Sequence, residues 1–143
     1  MIRIGVCEIA YAESVPLDWN GGELAEGLSC YRRTEFFLAH EHWEIIWLTL
    51  EEPEKSFLQA LIQTSAAFHH LQAGNSAGAI SLLRRALRRF ELCPERFAGI
   101  SIDGLRLGVR EWLEAMESGT VPVPPGFPSI SPSNPENEIN RER

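Results

Sequence analysis

The chain has no apolar run approaching the roughly 18 residues of a membrane-crossing helix. Its opening, MIRIGVCEIAYAES, also lacks the long hydrophobic region ending in small residues that marks a secretory leader. A cytoplasmic protein with no membrane association is therefore expected. Cysteine is scarce: Cys7, Cys30 and Cys93 are odd in number and far apart, which argues against both a disulfide framework and a CxxC metal knuckle. Reduced thiols are the expectation. Basic charge is in short supply as well. The formal net charge is -7 and the isoelectric point is near 5.1, so the mean field repels nucleic acid and anionic lipid unless basic groups gather on one face.

What remains is the composition of an ordinary globular protein, 44% hydrophobic and 23% charged over 143 residues. A chain of this length buries roughly two-thirds of its unfolded surface in one core without staples. From Leu24 to about Gly119 the apolar spacing is helical. Leu24, Leu28 and Tyr31 form the stripe of a first short helix. Thr34 then offers a hydroxyl cap, after which Phe36, Phe37, His40, Trp43, Glu44 and Trp47 recur three and four apart in a second. Pro53 breaks the pattern and suits the start of a third helix, which Gly74 ends in a left-handed conformation. Asn75 caps a fourth, about Ser76 to Phe90, with Ile80, Leu83, Leu87 and Phe90 inward. A fifth begins near Asp103 and stops at Gly119.

The expected architecture is all-α: a compact bundle of about five helices around a central antiparallel helical hairpin. Residues 1–20 read as an N-terminal extension with only a brief strand-like alternation, and 21–119 as the helical domain. Residues 120–143 hold six of the nine prolines and few core formers, which reads as a tail without fixed structure.

Several words in the helical region carry a resemblance. They are Phe36, Phe37, His40, Glu41, Glu44 and Trp47 in "FFLAHEHWEIIW"; Gln59 and Gln63 in "LQALIQ"; His70, Gly74 and Asn75 in "HLQAGN"; and Gly99, Ile100 and Asp103 in "GISID". Their spacing over about Leu24 to Leu113 resembles the family catalogued as domain of unknown function 309. The resemblance implies a compact all-helical fold and brings no activity with it. Leu38 stands where that family usually carries Glu or Tyr.

The segment "HEHWE" invites comparison with the zinc-protease word HExxH, in which two histidines four apart bind zinc and the glutamate activates water. Position 44 is Glu, so His40 and Glu44 place an imidazole and a carboxylate about 40° apart round the helix, one or two ligands short of a metal site. Gln59, Gln63 and His70 share a face of the next helix. If the hairpin turns near Glu52, however, His70 lies on the order of 9 Å along the axis from His40, too far for one ion to join them. No cofactor is expected. The reading ranked first is a buried hydrogen-bonded network in which Gln63 satisfies His40 or Glu44, with Glu41 in the network or facing solvent. The alternative is a pocket of His40, Glu41, Glu44, Trp47, Gln59, Gln63 and His70 that binds a small molecule or metal, or does hydrolase-like acid/base work through His40 oriented by Glu44.

The other features have plainer readings. Trp43 and Trp47 are expected as core rather than a stacking wall, and Ser65, with no glycine-rich elbow, as packing. Arg84, Arg85, Arg88 and Arg89 form the one concentrated basic patch. Without interleaved aromatics it reads as a solvated face or as pairing with neighbours such as Glu91, so nucleic acid is not the expected partner. Two functional classes follow: a structural or interaction module with a protein partner or a second copy, and an enzyme or ligand-binding domain.

Overall fold

The computed structural model describes residues 17–119 and 122–132. Among these, five helices carry the fold: α1 (Gly22–Arg32), α2 (Phe36–Trp47), α3 (Glu54–Gln72), α4 (Ser76–Glu91) and α5 (Ile102–Ser118). A two-stranded antiparallel hairpin, β1 (Arg96–Phe97) and β2 (Ile100–Ser101), sits between α4 and α5. The all-α bundle holds as expected, and α2–α3 and α3–α4 pack as successive helical pairs. The strand-like alternation read in the first residues falls outside the described range.

Local chemistry accounts for most boundaries. Asn75 accepts the Gly78 N–H at 2.9 Å as the cap of α4, and Gly74 and Gly119 end their helices at φ 84° and 69°. Pro53 occupies the N-cap of α3, and Glu52 Oε1 accepts the Ser56 N–H at 3.0 Å. Thr34 is a correction: it does not cap α2 but turns the chain at φ 61°, and Glu35 holds the N-cap. The small hairpin was not foreseen, because two-residue strands leave almost no alternation to read. Its turn places Ala98 and Gly99 at φ 55° and 79°, with the Ala98 carbonyl accepting the Trp19 indole N–H at 2.7 Å.

The core is aromatic. Phe36 packs edge-on against Tyr31 of α1 and Phe127 beyond α5, with centroids 5.3 Å and 4.8 Å away, and lies 5.5 Å from Phe68 of α3. Phe127 also stacks face to face on Trp112 of α5, 5.2 Å away and 5° from parallel. Residues 122–132 are thus not a loose tail. Ile130 is buried, the Pro128 carbonyl accepts the buried Tyr31 hydroxyl at 2.6 Å, and Ile100 bridges to Pro132. The prolines preclude a helix here, but Phe127 and Ile130 supply core surface that composition alone concealed. Trp19, read as part of the extension, is likewise buried.

The α1–α2 crossing is close because Gly27 has no side chain. A Cβ there would lie 2.3 Å from Nε1 of the fully buried Trp43, whose indole donates to the Leu24 carbonyl at 3.2 Å. Gly27→Ala should therefore destabilise by about 1–3 kcal/mol despite alanine's better helix propensity. Gly104→Ala in α5, whose nearest new neighbour is Ser101 Oγ at 3.9 Å, should be neutral or stabilising by up to about 1 kcal/mol. Denaturant midpoints of the two variants check both signs.

Burial pushes the Tyr31 phenol well above its ordinary range. The unfolded chain releases this proton above about pH 10 while the folded chain keeps it, so stability should fall as pH rises past that point. Tyr31→Phe should remove this alkaline loss, and should lower neutral-pH stability by about 1–2 kcal/mol because the Pro128 carbonyl loses its donor. Unfolding curves at neutral and alkaline pH measure the two effects.

Candidate functional site

The polar residues of "FFLAHEHWEIIW" divide among three surfaces of α2. His40 Nε2 lies 3.0 Å from Glu44 Oε1, so the side-by-side pair expected from the spacing forms. It sits at the rim rather than in the core: Glu44 is 54% exposed and His40 25%. Glu41 faces solvent. His42 points back to α1, with Nδ1 2.5 Å from Glu23 Oε2, tying the two helices across their crossing. The sequence gives little warning of that pair, since Glu23 reads as an ordinary acidic first-turn residue.

The predicted closure by Gln63 is not made. Gln63 is 8% exposed, yet its Oε1 is buried without a hydrogen-bond partner, as are His40 Nδ1, Trp47 Nε1 and Ser65 Oγ. His40 and Gln63 therefore belong to no shared hydrogen-bonded network among the described residues. Gln59 lines a groove with Glu44, whereas Gln63 lines one with the arginines of α4, so their nearness on α3 does not bring both to the same partners. His70 is remote from the pair: it lies at the α3–α4 turn, where Asn75 Nδ2 is 3.2 Å from its Nδ1. Nearby, Gln72 reaches the Thr34 carbonyl at 3.3 Å, in keeping with the hairpin register inferred from the turn. His69 instead approaches Phe37, with ring centroids 5.1 Å apart.

Two grooves flank this seam. Glu44, Trp47, Leu48 and Gln59 line a cavity of about 310 Å³ between the C-terminal end of α2 and the N-terminal half of α3. Lys55 lies over the Trp47 ring at 4.3 Å, a cation–π contact that holds one wall. Trp43 is core as expected, fully buried, and does not line this groove. The second groove, about 460 Å³, is lined by Gln63 together with Arg85, Arg88, Arg89 and Leu92.

The basic stretch is likewise divided. Arg84 Nε donates to Glu117 of α5 at 2.6 Å, and Glu91 pairs not with the patch but with Arg110 at 3.0 Å. Among the described residues, no three His, Cys, Asp or Glu side chains are grouped so as to hold a metal ion. No helix among them is long and apolar enough to cross a membrane. Cys30 and Cys93 are free and buried, and burial raises the Cys30 thiol above its ordinary range.

A pair as exposed as His40–Glu44 contributes little, because water screens it and two side chains must be fixed to make it. Glu44→Gln should change unfolding stability by less than about 1 kcal/mol. Trp47→Phe removes an unbonded buried donor, which offsets part of the indole's lost packing and its contact with Lys55, so the net cost should stay below about 2 kcal/mol. Thermal denaturation of each variant checks both.

An uncharacterized protein of Aquifex aeolicus (strain VF5) is 30% identical over 100 residues, covering 69% of this chain. The matched stretch spans only 30% of that relative's length. The model of the family described as domain of unknown function (DUF309) matches residues 24–82, the stretch from the start of α1 into α4 that holds both the His40–Glu44 pair and the α2–α3 seam. Over residues 24–82 the chain is thus similar to the DUF309 family.

Proposed function

We propose that this chain is a helical protein-interaction module, with the solvent face of α2 as its contact surface. One observation carries the reading: α2 exposes Phe37, Leu38 and Ile45, and Leu48 just past its end is 72% exposed. At 100° per residue these four fall within an arc of roughly 100°. They form one stripe on the side opposite the buried Phe36, Ala39 and Trp43. A helix that is apolar on both sides, with one side in water, is the ordinary mark of a surface that another protein covers.

The stripe also specifies its occupant. Glu41 stands exposed within it and Glu44 at its edge, so an amphipathic segment with apolar residues and Lys or Arg is complementary. A second copy docking about a twofold axis would set Glu41 against its own equivalent. The greater length of the Aquifex aeolicus relative is in keeping with a domain that works beside other protein parts.

A second reading, a small-molecule groove at Glu44, Trp47, Leu48 and Gln59, is supported by the unpartnered Trp47 indole N–H on the groove-lining residue. The two readings separate on a photo-crosslinking residue placed at position 45, compared with one at the equally exposed Leu107 of α5. The module reading predicts a discrete crosslinked protein from position 45 only, lost on Leu38→Lys, with an apolar-basic helix at the crosslink. No crosslink, equal crosslinking at both positions, or a crosslink only to the chain itself would contradict it.

A further inference from the structure

We infer that the groove between α3 and α4 is a binding site for a phosphate monoester of a small organic molecule. Arg85, Arg88, Arg89 and Leu92 recur at helical spacing along one flank of α4 and its C-terminal edge, and Gln63 of α3 closes the other side. The opposite flank of α4 is already committed, with Arg84 bound to Glu117 and Glu91 to Arg110.

The charge pattern sets this groove apart. Arg33 pairs with Glu35, Arg106 with Asp103 and with the carbonyls of Phe90 and Cys93, and Arg32 with the Ile130 carbonyl. Among the described residues, only the guanidiniums of Arg85, Arg88 and Arg89 are without a hydrogen-bond or ion-pair partner. The chain has 20 acidic side chains against 13 basic ones, so a shortage of carboxylates does not explain three adjacent unpaired cations. The negative end of the α4 dipole favours Arg88 and Arg89 in the last turn, but not Arg85 one turn earlier. Nor does the dipole explain why the groove is walled on its α3 side by an amide that is more than nine-tenths buried and whose Oε1 has no partner.

Each feature narrows the ligand. Three guanidinium forks within reach of one another call for more than a single negative charge, and a phosphate dianion accepts such forks in pairs. A cavity of about 460 Å³ is larger than inorganic phosphate alone requires and falls in the range of small-molecule sites. Leu92, exposed at the groove's end, gives an apolar rim for the carrier, while the unpartnered Gln63 Oε1, an acceptor, suits a hydroxyl of the carrier rather than the phosphate. A small dianion feels mainly the local arginines, since charges beyond about 10 Å are screened at ordinary ionic strength. An extended polyanion would also meet the acidic remainder of the surface, so nucleic acid is the poorer fit.

Isothermal titration of the full chain at low chloride tests this with inorganic phosphate, ribose 5-phosphate, ribose and a single-stranded RNA oligonucleotide. The expected result is that ribose 5-phosphate binds more tightly than inorganic phosphate and ribose does not bind. Replacing Arg85 and Arg89 together by Gln should weaken the ester at least about tenfold, whereas Arg84→Gln should change it less than about twofold. Circular dichroism of these surface variants confirms that they fold. Four outcomes would overturn the proposal: no binding of either phosphate, inorganic phosphate binding as well as the ester, equal weakening by Arg84→Gln, or RNA binding more tightly through the same arginines. The groove is on α4, away from the α2 stripe, so these results are independent of the protein-interaction reading.

Discussion

The packing around Phe36 is the constraint on which the rest of the molecule depends. This ring, almost wholly buried at the start of α2, touches Tyr31 of α1, Phe68 of α3 and Phe127 of the segment after α5. Phe68 and Phe127 in turn meet Trp112 of α5. Four helices and an irregular segment are thus held by one set of edge-to-face and stacked contacts, each worth roughly 0.5–1.5 kcal/mol beyond the area it buries. A core filled this densely has little room for hydrogen-bonded polar groups among its rings.

That constraint explains the fate of the polar residues on α2. His40 and Glu44 pair at the rim because the interior positions on either side are taken by Ala39 and Trp43, both fully buried. Gln63 is carried by the same α3 face but opens toward α4 and its arginines. What resembled one joined site therefore resolves into two shallow grooves and an exposed apolar stripe.

Much of this was legible in residue spacing. The five helices, the Asn75 cap and the glycine stops at 74 and 119 each rest on chemistry within a few residues, so the sequence displays them directly. The pairing of His40 with Glu44 follows from helix periodicity alone. What escaped depends on contacts across the chain. Phe127 and Ile130 lie in a proline-rich stretch with no periodicity, and only the hydroxyl of Tyr31, bonded to Pro128 97 positions later, and the rings around Phe36 reveal their role. Whether Gln63 would face His40 or the arginines of α4 depended on how α4 packs against α3, which a face assignment does not contain. The division of the arginines depended on where Glu117 and Arg110 of α5 come to lie.

The central claim, that His40 and Gln63 do not form one network, is tested most directly by a double-mutant cycle. The unfolding free energies of His40→Ala, Gln63→Ala and the double variant would be compared with that of the parent chain. Independent sites predict additivity within about 0.5 kcal/mol. A coupling of about 1 kcal/mol or more, the size of a buried hydrogen bond, would contradict the account.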